Sequence, residues 1–312
     1  MEYILLLVGF VLLIKGADFF VDGASSIAGK LKVPSLIIGL TVVSMGTSMP
    51  EAAVSISASL SGSNSISLGN VIGSNIFNLL MVVGVSSMIL PITTDKDILK
   101  RDMPINIGIT VALFVMLLDG NLSRIDAAIL LVLLAGYMFL LIRSALKNRI
   151  EGEALKVYSW TKSIILSVVG VAAIIGGGNL VVESAKTIAL NLGMGETLVG
   201  LTIVAIGTSL PELVTSVVAA KKGDSGIAMG NVVGSCIFNI LFILGMAGVI
   251  SPMTADASFF IDTGILIAIS LLMLLFAFTK RKTGRVEGAI CVLIYIAYTA
   301  YIIMRAFNIW IF

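Results

Sequence analysis

The chain has 312 residues, 58% hydrophobic and 12% charged, with 20 Lys and Arg against 18 Asp and Glu for a formal net charge of +2. Soluble domains run at about a quarter charged and under half apolar, so this composition excludes a water-soluble enzyme, a disordered chain, a disulfide scaffold and a nucleic-acid module. What remains is a polytopic membrane protein with room for about ten spans of roughly 20 residues each; the length and continuity of its apolar stretches make it an all-α membrane protein.

Ten apolar stretches are predicted as transmembrane helices, at 3–28, 34–60, 66–90, 103–118, 125–145, 160–188, 196–219, 226–250, 259–279 and 286–308. They are too long and too continuously apolar for barrel strands. The first stretch opens with Glu2, lacks a basic start and shows no small-residue cleavage site, so it is expected to be a span rather than a leader. Within it Lys15 and Asp18 are expected to pair, and Asp22 and Glu183, near span ends, to be solvated. The second stretch carries Gly46 and Pro50 at its middle. Proline has no N–H and its ring crowds the carbonyl four residues back, so a break there should free carbonyls around 43–47. Cys236 and Cys291 lie in apolar stretches and are not expected to form a disulfide. With the N-terminus outside, 16 of the 20 Lys and Arg fall in cytoplasmic loops, which orients both termini outside.

The chain repeats itself. Shifted by 161 residues, 35–91 overlies 196–252 without a gap, with 25 identities in 57 positions. GLTVVSMGTSMPE (39–51) faces GLTIVAIGTSLPE (200–212), and GNVIGSNIFN (69–78) faces GNVVGSCIFN (230–239). Five spans per half is an odd number, so the second half should enter the membrane from the opposite side, as in transporters with a midplane site. The expected division is 1–150 for the first five-helix repeat and 151–312 for the inverted second.

The matched segments are polar ones. Thr47, Glu51 and Ser55 recur every fourth residue on one helix face, with Ser48 beside them, and Thr208, Ser209, Glu212 and Ser216 repeat the arrangement. A carboxylate at bilayer depth costs several kcal/mol unless paired, protonated or solvated. Neither motif holds a basic residue, so cations are the expected neutralisers of Glu51 and Glu212. Asn70, Ser74 and Asn78, with Asn231, Ser235 and Asn239, add neutral hard oxygens; Asn75 and Cys236 differ between halves and are not assigned a role. Hard oxygen donors suit Ca2+ and Na+ and disfavour zinc or copper.

These paired GTSxPE and GNxxGSxIFN segments resemble the alpha repeats of the sodium/calcium exchangers, in the cation/calcium antiporter superfamily. The resemblance implies that Glu51 and Glu212 ligate the transported ions, helped by Thr47, Ser48, Ser74 and Asn78, by Thr208, Ser209, Ser235 and Asn239, and by backbone oxygens near Ser44 and Ala205. Many relatives carry Asp where this chain has Asn239, which argues against potassium cotransport. The linker of about a dozen residues near 146–159 leaves no room for a large regulatory domain, so the chain looks like a minimal prokaryotic member. The expected activity is Na+/Ca2+ antiport by alternating access in the cell membrane, with Ca2+, Na+ and the bilayer as partners. No cofactor, nucleic acid or protein partner is implied. The alternative is a Ca2+/H+ (or other cation) antiporter using the same glutamates. A channel is less favoured, and an intramembrane enzyme lacks a histidine base.

Overall fold

A computed structural model describes residues 1–147, 158–193 and 205–307. Among the described residues the fold is predominantly helical. α1 (Glu2–Leu31) leads into α2, a bent pair of limbs (Ser35–Thr47 and Met49–Leu60), then α3 (Asn64–Ile89), α4 (Ile98–Asp119) and α5 (Arg124–Lys147). The second half follows with α6 (Trp160–Asn191), α7 (Leu210–Lys221, after a turn at Ala205–Gly207), α8 (Ser225–Ile250), α9 (Ala257–Lys280) and α10 (Arg285–Ala306). Among the described residues eight helices are long and apolar enough to cross a membrane, or nine with the bent pair counted as one. The expected span at 196–219 is described only from residue 205, and the expected boundary at 150/151 lies outside the described residues.

Burial divides the helices into two sets. In the most apolar stretches of α3 and α8, 72% and 78% of residues are buried, against 22% in α5 and 17% in α10. α3 and α8, which carry the repeated polar motifs, therefore lie at the centre, and α5 and α10 at the rim. Large side chains such as Leu7, Val132, Phe139, Phe278 and Leu293 project from the rim. An apolar girdle of this extent is stable only against lipid.

α1 and α6 lie antiparallel along a seam of small residues. A methyl group added at Gly9 would stand 3.0 Å from the Gly177 carbonyl oxygen, and one at Gly16 would stand 2.9 Å from that of Gly170. Two backbones approach this closely only where side chains are absent.

Four two-residue strands, which an all-helical reading does not anticipate, stitch the ends of the bundle. β1 (Ile92–Thr93) pairs antiparallel with β4 (Lys282–Thr283), and β2 (Asn121–Leu122) with β3 (Met253–Thr254). Since β1 and β2 flank α4 while β3 and β4 flank α9, these pairings run α4 and α9 in opposite directions. Shifting β1 by 161 residues gives β3, and shifting β2 gives β4, so helices equivalent in sequence are antiparallel in space.

Two polar clamps follow the same relation. Arg101 on α4 donates to Ser144 on α5 at 2.7 Å and to its neighbour Asp102 at 2.8 Å. At the equivalent positions, Arg305 on α10 donates to Asp262 on α9 at 2.7 and 3.0 Å. The arginine changes helix between the halves, yet each hairpin is closed by one.

Asp18 does not turn to Lys15. It meets Lys222 at 3.0 Å, and Asp22, expected to be solvated, meets the same ammonium at 2.7 Å. Tertiary approach of the α7–α8 turn overrides the local i,i+3 spacing. Glu183 is exposed, as expected.

Candidate cation-binding site

The break in α2 falls at Ser48, where the two limbs bend by 50°. Pro50 sits in the first turn of the second limb, where its missing N–H is harmless and its ring stops the preceding limb. Ser48 adopts φ −83°, ψ 8°, outside the helical well. Ser209 adopts φ −93°, ψ 6° at the matching place before α7, with Pro211 in the next turn. The same sequence thus gives Ser48 and Ser209 the same backbone conformation, and each is followed by a helix with its glutamate in the first turn.

The two carboxylates are buried without any exposed surface, and each is held by the other half. Ser209 donates to Glu51 Oε1 at 2.8 Å and Ser48 donates to Glu212 Oε1 at 2.8 Å. Ser74 and Ser235 stand farther off the same oxygens, each at 3.5 Å. The second oxygens, Glu51 Oε2 and Glu212 Oε2, are buried with no hydrogen-bond partner. Buried polar atoms are normally satisfied, and an acceptor left open on a buried carboxylate is the position a cation would fill.

Thr47 lies 3.0 Å from Asn231 Oδ1 and 3.3 Å from the Ser44 carbonyl oxygen. That carbonyl is also within 3.5 Å of Ser235 Oγ. Thr208 Oγ1 has no partner. Ala205 opens the short turn preceding Thr208 and Ser209. Asn70 and Asn231, expected among the neutral donors, instead use their amide nitrogens as braces. Asn70 donates to the Glu51 carbonyl oxygen at 3.2 Å and to the Ser55 hydroxyl at 2.9 Å, and Asn231 donates to the Glu212 carbonyl oxygen at 3.3 Å and to the Ser216 hydroxyl at 2.9 Å. They anchor each glutamate's backbone to α3 or α8.

Asn78 and Asn239 begin π-helical turns, Asn78–Val82 and Asn239–Leu244. Such turns interrupt the regular i→i−4 ladder and recur at functional sites. Both amide atoms of Asn78 and the oxygen of Asn239 are buried and unpaired. Among the described residues no cluster of three His, Cys, Asp or Glu side chains could hold a metal ion. A cation here would rely on two carboxylates and neutral oxygens, a hard, low-charge donor set. The missed residue is Asn75, buried between α3 and α8 and bonded to both Cys236 and Asn239. Both cysteines are free and buried.

Two opposed carboxylates among neutral oxygens, at paired helix breaks inside a lipid-facing bundle, define a multi-pass membrane carrier of cations. A family model described as sodium/calcium exchanger protein matches residues 1–143 and 162–304. The chain is 39% identical over 308 residues to the putative antiporter CaxA of Alkalimonas amylolytica, covering 95% of this chain and 96% of that one. It is 37% identical to the sodium/calcium exchanger MaX1 of Methanosarcina acetivorans, over 95% and 97% of the two chains. It is also similar to the solved structure of the sodium-calcium exchanger NCX_Mj soaked with 10 mM Na+ and zero Ca2+, with a TM-score of 0.85 at 35% identity, covering 96% of this chain and 98% of that one. The chain belongs to the sodium/calcium exchanger family. It is a cation/calcium antiporter, a transporter and not an enzyme.

Proposed function

We propose that the protein exchanges Na+ for Ca2+ across the cell membrane by alternating access. Ca2+ binds between Glu51 and Glu212, and Na+ ions take overlapping oxygens from Thr47, Ser48, Ser74, Asn78 and Ser44 and from Thr208, Ser209, Ser235, Asn239 and Ala205. The observation that carries the proposal is the reciprocal bonding of the carboxylates, Ser48 to Glu212 and Ser209 to Glu51, with one oxygen left open on each. Two negative charges in one buried space can be neutralised by one divalent ion or by monovalent ions. The two ion sets therefore compete, and access switches only when the charge is balanced, because moving bare charge past lipid is costly.

In this reading ten spans form two inverted five-helix repeats, 1–150 and 151–312, with both termini outside. The opposed directions of α4 and α9 and the exchange of strands between halves support the inversion. The glycine seam supports α1 and α6 moving as one body against the central helices. The relatives include the putative antiporter CaxA as well as the sodium/calcium exchanger MaX1, so the driving ion is the quantity to measure. Reconstituted vesicles loaded with Ca2+ and given a Na+, K+ or proton gradient in turn should release it only with Na+. Release driven by a pH gradient without Na+ would establish the Ca2+/H+ alternative. Glu51→Gln and Glu212→Gln should each abolish 45Ca2+ flux while leaving membrane insertion intact.

A further inference from the structure

Apart from Ser44 and Ala205, named for their backbone oxygens, the proposed ligands match in side chain between the two halves, but the halves differ at the contact between α3 and α8. Asn75 occupies the position that Cys236 occupies in the second half. The two meet across the pseudo-twofold relation: Asn75 Nδ2 donates to the Cys236 carbonyl oxygen at 3.1 Å, and Cys236 Sγ donates to the Asn75 carbonyl oxygen at 3.8 Å. The first of these bonds has a directional consequence. A backbone carbonyl only accepts, so the amide atom of Asn75 facing it must be the nitrogen. That turns Asn75 Oδ1 toward Asn239, 3.0 Å away. Asn239 must then offer its own NH2 to that oxygen. Its carbonyl oxygen is left on the other side, buried and without a protein partner.

Asn78 has no such constraint. Both its amide nitrogen and its amide oxygen are buried with no partner. Two asparagines that are identical in sequence, and that open equivalent π-helical turns, are therefore not equivalent in the fold. One is locked with an acceptor free; the other can turn either way.

We infer that Asn75 is a positioning residue that locks the Asn239 amide with its oxygen presented to the transported cation, so that Asn239 is a preset ligand and Asn78 an adaptable one. The inference rests on the ion-binding reading above. An amide turned the other way would aim N–H groups at a cation, and a preset oxygen binds without the cost of ordering a free side chain. Asn75 touches the ion only through Asn239, and its loss should act on ion affinity.

The test uses the full chain in proteoliposomes and moves the lock from one half to the other. The swap N75C/C236N keeps one asparagine and one cysteine at the α3–α8 contact, so packing is conserved, but it places the amide where it would brace Asn78. Half-saturating Na+ and Ca2+ concentrations and maximal flux are measured for N78A and N239A in each background. In the natural background N239A should raise half-saturation about threefold or more above N78A, a difference expected for one preset hydrogen-bonding group. In the swapped background the order should reverse, with maximal rates changing less than half-saturation. The same order in both backgrounds, or losses confined to the maximal rate, would overturn the inference. If the natural protein gives no cation-driven flux, the transport reading fails instead, and the two failures are distinguishable.

Discussion

Ser48 and Ser209 each donate to the carboxylate of the opposite half. Their backbone conformations agree within about ten degrees, a spread smaller than the normal scatter of regular elements. A hydrogen bond to a charged group contributes about 1.5–3 kcal/mol. Ser48→Ala and Ser209→Ala should each raise the half-saturating Ca2+ concentration by roughly tenfold or more. Near-equality of the two effects, read from 45Ca2+ uptake curves, is the sharper expectation, since a site built mainly by one half would give unequal losses. The glutamates and serines were readable from sequence because charge without a basic companion at bilayer depth demands an explanation, and because the repeat marks them twice. Asn75 was not readable for the same reason. Comparing the halves finds what they share, and Asn75 matters through what they do not share. The brace role of Asn70 and Asn231 was also hidden, because an amide at ligand spacing is the same residue whether its oxygen or its nitrogen is in use.

At the scale of elements, Pro50 and Pro211 announce the helix breaks, and the structure puts each break two residues upstream of the proline, at Ser48 and Ser209. The π-helical turns at Asn78 and Asn239 have no compositional mark, since a wider turn needs no special residue. Contacts distant in sequence were likewise beyond reach. The pairing of Lys222 with Asp18 and Asp22 depends on where α7 ends against α1, which no local spacing encodes. The α1–α6 seam makes a direct prediction. A Cβ at Gly170 would sit 2.6 Å from the Phe20 backbone nitrogen, a contact neither helix can relieve without separating. Gly170→Ala should cost about 1–3 kcal/mol through overpacking, seen as a lower unfolding temperature in detergent, and Gly170→Leu should cost more. Lys222→Met removes a partly exposed link of small energetic weight, about 0–1 kcal/mol. It should leave that temperature nearly unchanged and alter the exchange rate, because it removes the ion pairs between α1 and the α7–α8 turn and leaves hydrogen bonds such as that from Ser25 to Asp224.

For the whole molecule, the proposed arrangement puts the α2–α3 turn outside and the α7–α8 turn inside. A single cysteine at Ser61 should react with an impermeant thiol reagent added outside, and one at Lys222 only after the membrane is opened. The native Cys236 and Cys291 are buried and should not obscure the signal. Labelling of both positions from one side would refute the inverted arrangement.

The strand pairs carry a mechanical implication. Each rivets a loop of one half to a loop of the other, one pair at either lid of the bundle. Anything fastened at both lids is a chassis, and α4 and α9 are fastened so. α1 and α6 bear no such strand pair and are packed against each other along their glycine seam, so in the proposed mechanism they travel together. The stationary and travelling parts of that proposed mechanism are decided by four short stretches of backbone, far from the ions.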